Sequence, residues 1–260
     1  MSIVAVLAGL FIGLIGGFMS GALGISSGGA LVPLSVLFLG VDQHVAQGIS
    51  LVAQVFPSSL TGLRHYVSRG RGFPLRWLWF VATGFACGGI LGALLATHIA
   101  SLGLRWGFVG YLALLEIALI VRNRPVQYQT TPAARTSAVT VPKLLLIGFA
   151  GGASSGLLGI GGGLALTALA SAVMKVRQHQ SQALSLAVTA LPLTLPAAWT
   201  YLQQGVSVPP LTIVEIVVGL CIGTDLGSRI ANRLSAKTLE WALLVLVAAM
   251  ALFMACKAAG

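Results

Sequence analysis

Two stretches of an otherwise apolar chain carry polar side chains at regular spacing. Val41–Leu51 reads VDQHVAQGISL, and Val176–Leu186 reads VRQHQSQALSL. In each, Gln, Gln and Ser recur at i, i+4 and i+7, on one face of a helix: Gln43, Gln47 and Ser50, then Gln178, Gln182 and Ser185. Amides and hydroxyls on one face supply neutral hydrogen-bond donors, which suit an oxyanion that is bound and then released. His44 and His179 sit beside the first Gln of each stretch. The competing reading is a solvated turn and helix cap, with the serines satisfying backbone carbonyls.

A second pair of stretches is rich in glycine: GALGISSGGA at Gly21–Ala30 and GLLGIGGGLA at Gly156–Ala165. Clustered glycine weakens a helix and exposes backbone N–H groups. Short helices starting near Ser27/Gly28 and Gly162/Gly163 would present unpaired N–H groups and partial positive charge. Two such ends at one site would bind an anion without a buried Lys or Arg. The candidate substrate-binding residues of the first half are Gly24, Ser26, Ser27, Gly28, Gly29, Gln47 and Ser50. Those of the second are Gly159, Gly161, Gly162, Gly163, Gln182 and Ser185. Gln43, His44, Gln178, His179 and Asp225 form a secondary set. The alternative for the glycines is close helix packing, and the four-residue spacing of Gly84, Gly88 and Gly92 and of Gly219, Gly223 and Gly227 favours packing there. A phosphate loop is a poor fit, because no Gly-Lys-Ser/Thr follows either break.

The elements that must hold these residues lie in a bilayer. The chain of 260 residues is 57% hydrophobic and only 8% charged, whereas soluble domains are about a quarter charged. Apolar runs recur at Ser2–Leu23, Leu75–Thr97, Leu104–Val121, Leu144–Leu158, Leu211–Ala231 and Trp241–Ala255. Their continuity, without period-two alternation, predicts membrane helices rather than barrel strands. The net charge of +10 does not point to nucleic acid, because the basic residues sit in short clusters between apolar runs, where they orient spans. Cys87, Cys221 and Cys256 lack CxxC spacing and nearby His ligands, so neither a metal nor a cofactor is expected. The first residues, MSIVAVLAGLFIGLIGG, lack a basic leader, which argues against a cleaved signal peptide.

The chain is internally repeated. Adding 135 to a first-half number brings Gly13, Gly16, Gly17, Ser20 and Gly21 onto Gly148, Gly151, Gly152, Ser155 and Gly156, and Pro57, Tyr66 and Trp106 onto Pro192, Tyr201 and Trp241. About 35 identities fall in about 105 ungapped positions, more than shared hydrophobicity explains. Equivalent loops carry opposite charge bias, basic in one copy where the other is nearly neutral. Arg64, Arg69, Arg71 and Arg76 crowd one loop whose counterpart, Trp199–Leu211, has no charge. Arg233 and Lys237 mark a turn whose counterpart, Thr97–Arg105, holds one Arg. Positive loops face the cytoplasm, so the unit crosses an odd number of times and its copies are inverted.

The expectation is an all-α polytopic membrane protein of two inverted repeats, each of about five helical segments. That gives 8–10 membrane helices, with glycine-broken helices near the midplane. Residues 1–121 form the first repeat, 122–143 a cytoplasmic linker and 144–260 the second repeat, with both termini periplasmic. The second segment of each copy, Gly28–Leu39 and Gly163–Met174, is short for a span. Ala183–Leu202 reads as one segment. Asp225 and Arg229 pair at i, i+4, and Glu215 and Glu116 are lone acids without repeat mates.

The twin glycine-rich breaks, each followed by a short apolar segment and a Gln-x-x-Ser-Leu phrase (AQGISL, SQALSL), resemble the sulfite exporter TauE/SafE family over nearly the whole chain. The resemblance implies a bacterial inner-membrane transporter of a small sulfur oxyanion or organosulfonate: sulfite, thiosulfate or a sulfonate. The partners it implies are that anion and the lipid bilayer; a homodimer is left open. Two departures break the symmetry: GISSGG faces GIGGG, and Pro33 is matched by Ala168. Two other classes remain in view. One is an anion channel of the same architecture; the other is an intramembrane serine hydrolase using Ser26 or Ser27 with His44, which needs nucleophile and base within hydrogen-bond reach.

Overall fold

The computed structural model describes residues 3–23, 26–56, 74–122, 140–174, 178–231 and 236–259. These form eleven helices, with no strand among the described residues. The first half contains α1 (Ile3–Leu23), α2 (Gly28–Phe38), α3 (Gln43–Ala53), α4 (Leu75–His98) and α5 (Ser101–Arg122). The second contains α6 (Val141–Leu158), α7 (Gly163–Met174), α8 (Gln178–Ala190), α9 (Leu195–Gln203), α10 (Pro210–Ala231) and α11 (Ala236–Ala259).

Glycine at every fourth position puts a flat strip on one face of a helix and lets two backbones touch. α1 carries Gly9, Gly13, Gly17 and Gly21 on such a strip, and α10 carries Gly219, Gly223 and Gly227. A Cβ at Gly13, Gly17 or Gly21 would overlap the backbone of Ile216, Leu220 or Thr224 in turn. Contacts rise together along both helices, so α1 and α10 run parallel. α4 and α6 repeat the arrangement: Gly84, Gly88 and Gly92 lie against the backbone of Leu145, Phe149 and Ala153, again in rising order. Each tight pair takes one helix from each half of the chain.

The apolar interior follows the same exchange. One cluster gathers Ile12, Leu31, Ile49, Phe108, Ile216 and Met250, from α1, α2, α3, α5, α10 and α11. Another gathers Trp77, Phe85, Ile147, Leu166, Leu184 and Val188, from α4, α6, α7 and α8. Large apolar side chains also cover the outside. Trp79, Trp106, Trp199 and Trp241 are 51–64% exposed, as suits aromatic residues at the edges of a bilayer.

Three described helices, α4, α6 and α10, are long and apolar enough to cross a membrane, and α8 with α9 makes a fourth span if the bent pair is one crossing. α1 is apolar over Val6–Ala22 and α2 over Gly28–Phe38, at shorter length. The predicted single segment Ala183–Leu202 is broken: α8 and α9 meet at 46° across the Leu191–Thr194 turn. Pro192 lies in that turn, and proline both lacks an N–H and obstructs the preceding helical turn. The first-half counterpart of this bend, around Pro57, lies outside the described residues.

Candidate functional site

α1 and α6 both end at a glycine break, and the two tight pairs deliver those ends to the same place. The second break is a left-handed loop. Gly159, Gly161 and Gly162 have φ of 71°, 82° and 65°, a region that Cβ disfavours. Gly159 closes α6 in that conformation, its N–H donating to the Ser155 carbonyl at 2.7 Å. Ser26 and Ser27 occupy the matching positions of the first break. Ser27 is right-handed, at φ −63°, so glycine is not required there. This accounts for Ser27 opposite Gly162.

The breaks touch. A Cβ at Gly28 would come within 2.6 Å of the Gly159 carbonyl oxygen and of Gln54 Nε2. One at Gly161 would overlap both Ser26 Oγ and Gln54 Oε1. One at Gly163 would lie 3.2 Å from Ser26 Cβ and 3.5 Å from Ser185 Oγ. Gly29 reaches Ile160, and Gly162 is walled by the Phe85 ring and the Gly151 carbonyl.

Gln54 is the hub of this contact. Its Oε1 accepts from the Ser26 hydroxyl at 2.7 Å. Its Nε2 donates to Ser50 Oγ at 2.8 Å, to the Ser50 carbonyl at 3.0 Å and to the Gly159 carbonyl at 3.2 Å. Ser50 Oγ itself donates to the Gly159 carbonyl at 2.7 Å. Beside them, the Tyr201 hydroxyl is shared between Gln47 Oε1 at 2.8 Å and the Gly156 carbonyl at 3.0 Å. Ser185 Oγ donates to the Gly163 carbonyl at 2.7 Å, and Tyr111 meets the backbone of Ala165. The first intrahelical bonds beyond the breaks are Ala30 N–H to the Ser27 carbonyl and Leu166 N–H to the Gly162 carbonyl. The N–H groups of Gly28, Gly29 and Gly163 precede them.

The arrangement is a set of neutral donors turned on protein oxygens, with no cation among the partners. Hydrogens of this kind transfer from a carbonyl to an entering oxyanion without leaving any charge buried and unpaired. Gln43, Gln47 and Ser50 are each 0% exposed. Both amide atoms of Gln43 and Nε2 of Gln47 have no hydrogen-bond partner.

Other sequence candidates lie elsewhere. His44 Nδ1 meets Ser101 Oγ at 3.0 Å, and its Nε2 meets the Ala96 and Ile99 carbonyls at 3.0 and 3.1 Å. It ties α3 to the α4–α5 corner. Asp225 pairs with Arg229 at 2.8 Å on an exposed face of α10. Gly24 lies outside the described residues. Gln178, His179 and Gln182 are on α8, and the placement of their side chains is likewise outside what the structure describes. Because His44 clasps a helix corner, His44→Ala lowers the thermal midpoint, by the equivalent of about 1–2 kcal/mol for the lost hydrogen bonds. Substrate KM stays unchanged; a shifted KM with an unchanged midpoint would put His44 in the site instead.

Gln54, Tyr201 and Tyr111 are not among the residues that the sequence singles out. Tyr201 has a signal, since it repeats Tyr66. Gln54 has none, because its mate is Thr189, whose hydroxyl donates locally to the Ser185 carbonyl.

A helical polytopic membrane protein with glycine-broken helices meeting at uncharged donors fits the class of solute transporters. The chain belongs to the sulfite exporter TauE/SafE family, whose profile matches residues 9–254. That family comprises membrane transporters of sulfur anions rather than enzymes. No curated protein and no solved structure gives a significant match.

Proposed function

We propose that this protein is a secondary transporter that exports a small sulfur-containing anion (sulfite, thiosulfate or an organosulfonate) across a bacterial inner membrane. The observation that carries the reading is the Gln54 cluster, where Ser26, Ser50 and the Gly159 break of the other half meet through hydrogens that an oxyanion would accept. The anion sits between the breaks. Ser50, Ser185 and Gln54 turn toward it, together with the N–H groups of Gly28, Gly29 and Gly163.

Residues 1–121 and 144–260 act as inverted repeats around a cytoplasmic linker, 122–143; because each tight pair joins one helix from each half, the bodies that rock in alternating access are the α1–α10 side and the α4–α6 side rather than the two halves of the chain. The charge pattern supports the inversion, and the packing agrees with the sides it assigns. The charge pattern starts α1 and α10 outside, and starts α4 and α6 at the cytoplasm; each of these pairs packs parallel. Export of an anion from a negative-inside cell is favoured by about 2.3 kcal/mol per charge per 100 mV. The hydrolase reading loses support, because Ser26 donates to Gln54 while His44 is held by Ser101, Ala96 and Ile99.

The test is counterflow of sulfite and thiosulfate into proteoliposomes. Wild type shows saturable counterflow, and Ser50→Ala with Ser185→Ala raises the anion KM about tenfold, as expected for losing about 1.4 kcal/mol of hydrogen bonding. Unchanged KM in the double variant would remove the serines from the site. Single-channel currents in place of saturable counterflow would make the protein a channel.

A further inference from the structure

We propose that Glu215 is the proton-carrying site of this transporter, loading and releasing one proton per cycle so that proton and anion cross in the same direction. The inference rests on the transport reading above. Glu215 lies in the second turn of α10, is 6% exposed, and neither of its carboxyl oxygens has a hydrogen-bond partner. Hydrogen-bonded acids are commonplace inside proteins, but one with both oxygens orphaned in a membrane helix is not.

No described neighbour supplies a counter-charge. α1, packed along α10, has no titratable residue from Ile3 to Leu23. α3, which also meets α10, offers only His44, whose two ring nitrogens are both engaged at the α4–α5 corner. On α10 itself, Cys221 is exposed, and Asp225 and Arg229 pair with each other on the outer face.

Packing does not explain the acid either. Gly9 makes room for it: a Cβ at Gly9 would overlap Glu215 Oε2 and lie 2.9 Å from its Cβ. The repeat mates of Gly9 and Glu215 are Leu144 and Phe80; Leu144 is buried in the apolar interior of the α4–α6 side and Phe80 is half-buried against it. The molecule thus fills the equivalent positions with two apolar side chains. The acid in its notch is specific to the α1–α10 pair, and its presence there calls for a chemical reason.

A partnerless buried charge is far costlier than a neutral acid. An anion at the breaks and an ionised Glu215 would also repel through a low-dielectric interior. Anion entry therefore favours the protonated acid, and anion departure releases the proton. This linkage makes the coupling symport: each proton carried out cancels one unit of the anion's charge, so export keeps the push of the membrane potential only for an anion with more than one charge. The step is a proton transfer only: an O–H bond forms on a carboxylate oxygen from water on one side and breaks to water on the other. The exposed segment Gln203–Pro210 ends five residues before Glu215, about 7–8 Å along the helix axis, which gives protons a short way in.

The test uses purified protein in weak buffer with a pH indicator, and thiosulfate or methanesulfonate as the probe, since neither takes up a proton near neutral pH. Wild type takes up protons when the anion binds, and an inward proton gradient drives anion uptake into proteoliposomes. Glu215→Gln loses both responses but keeps counterflow at equal pH. Glu215→Met serves as a second variant, because the equivalent position in the other half, Phe80, is apolar. Proton uptake that persists in both variants, or that is absent from a wild type active in counterflow, overturns the proposal. Absence of counterflow with every anion is the separate failure of the transport reading. The infrared carbonyl band of a protonated acid, read with the anion present, then decides: present in wild type and missing from Glu215→Gln, it upholds a proton on Glu215; absent from both, it overturns it.

Discussion

Gly161→Ala suppresses transport while leaving the protein folded. Two costs coincide at this residue. Its φ of 82° is one that a Cβ disfavours by about 1–2 kcal/mol. The new methyl also overlaps Ser26 Oγ and Gln54 Oε1, which are bonded to each other at 2.7 Å. Both are ends of movable side chains, so they give way, but only by breaking their link, at about 1 kcal/mol. The sum, about 2–3 kcal/mol, corresponds to a loss of anion affinity of about 30- to 140-fold where it falls on binding. Gly205→Ala is the control: it has the same φ of 82° and nothing within 4 Å of a Cβ. Counterflow KM and thermal midpoint are measured for both. Equal behaviour of the two variants would reduce Gly161 to a backbone requirement and would weaken the case for a site at the breaks.

The long elements are legible in the sequence because hydrophobicity is local. The apolar runs at Ser2–Leu23, Gly28–Leu39 and Leu75–Thr97 form α1, α2 and α4 within a residue or so at each end. The short helices after the breaks are legible because glycine clusters interrupt an otherwise apolar pattern. The contact between the breaks follows from the repeat, since two equivalent segments tend toward a common axis. What the repeat hides is whatever departs from it. Gln54 bonds to Gly159, 105 residues away, and a comparison of matched positions pairs it with an unremarkable Thr189. The α8–α9 bend is hidden for another reason: Pro192 stands out as a repeat identity, which masks its effect as a backbone without a donor. Glu215 gives little signal because it lacks a mate, and only its burial and the notch at Gly9 give it meaning.

Gly152→Val prevents the protein from accumulating in folded form. A Cβ here overlaps the Phe85 carbonyl group and Cα. These are backbone atoms of a helix bonded along its length, so no rotamer change relieves the overlap. The helices must separate, and in lipid their association depends on close packing, because no hydrophobic force drives apolar surfaces out of an apolar solvent. Separation also loosens Gly148 from Val81 and Gly156 from Gly89 on the same face, so the cost spreads along the pair and exceeds the roughly 1–3 kcal/mol of a typical overpacked core. Gly110→Val, on α5 with nothing within 4 Å of its Cβ, yields protein at wild-type level despite the same change of helix propensity. Size-exclusion profiles in mild detergent check the contrast. A monodisperse Gly152→Val protein with wild-type counterflow would mean that the α4–α6 contact is looser than its glycines imply, and that the breaks are positioned by the α7–α8 side of the interior instead.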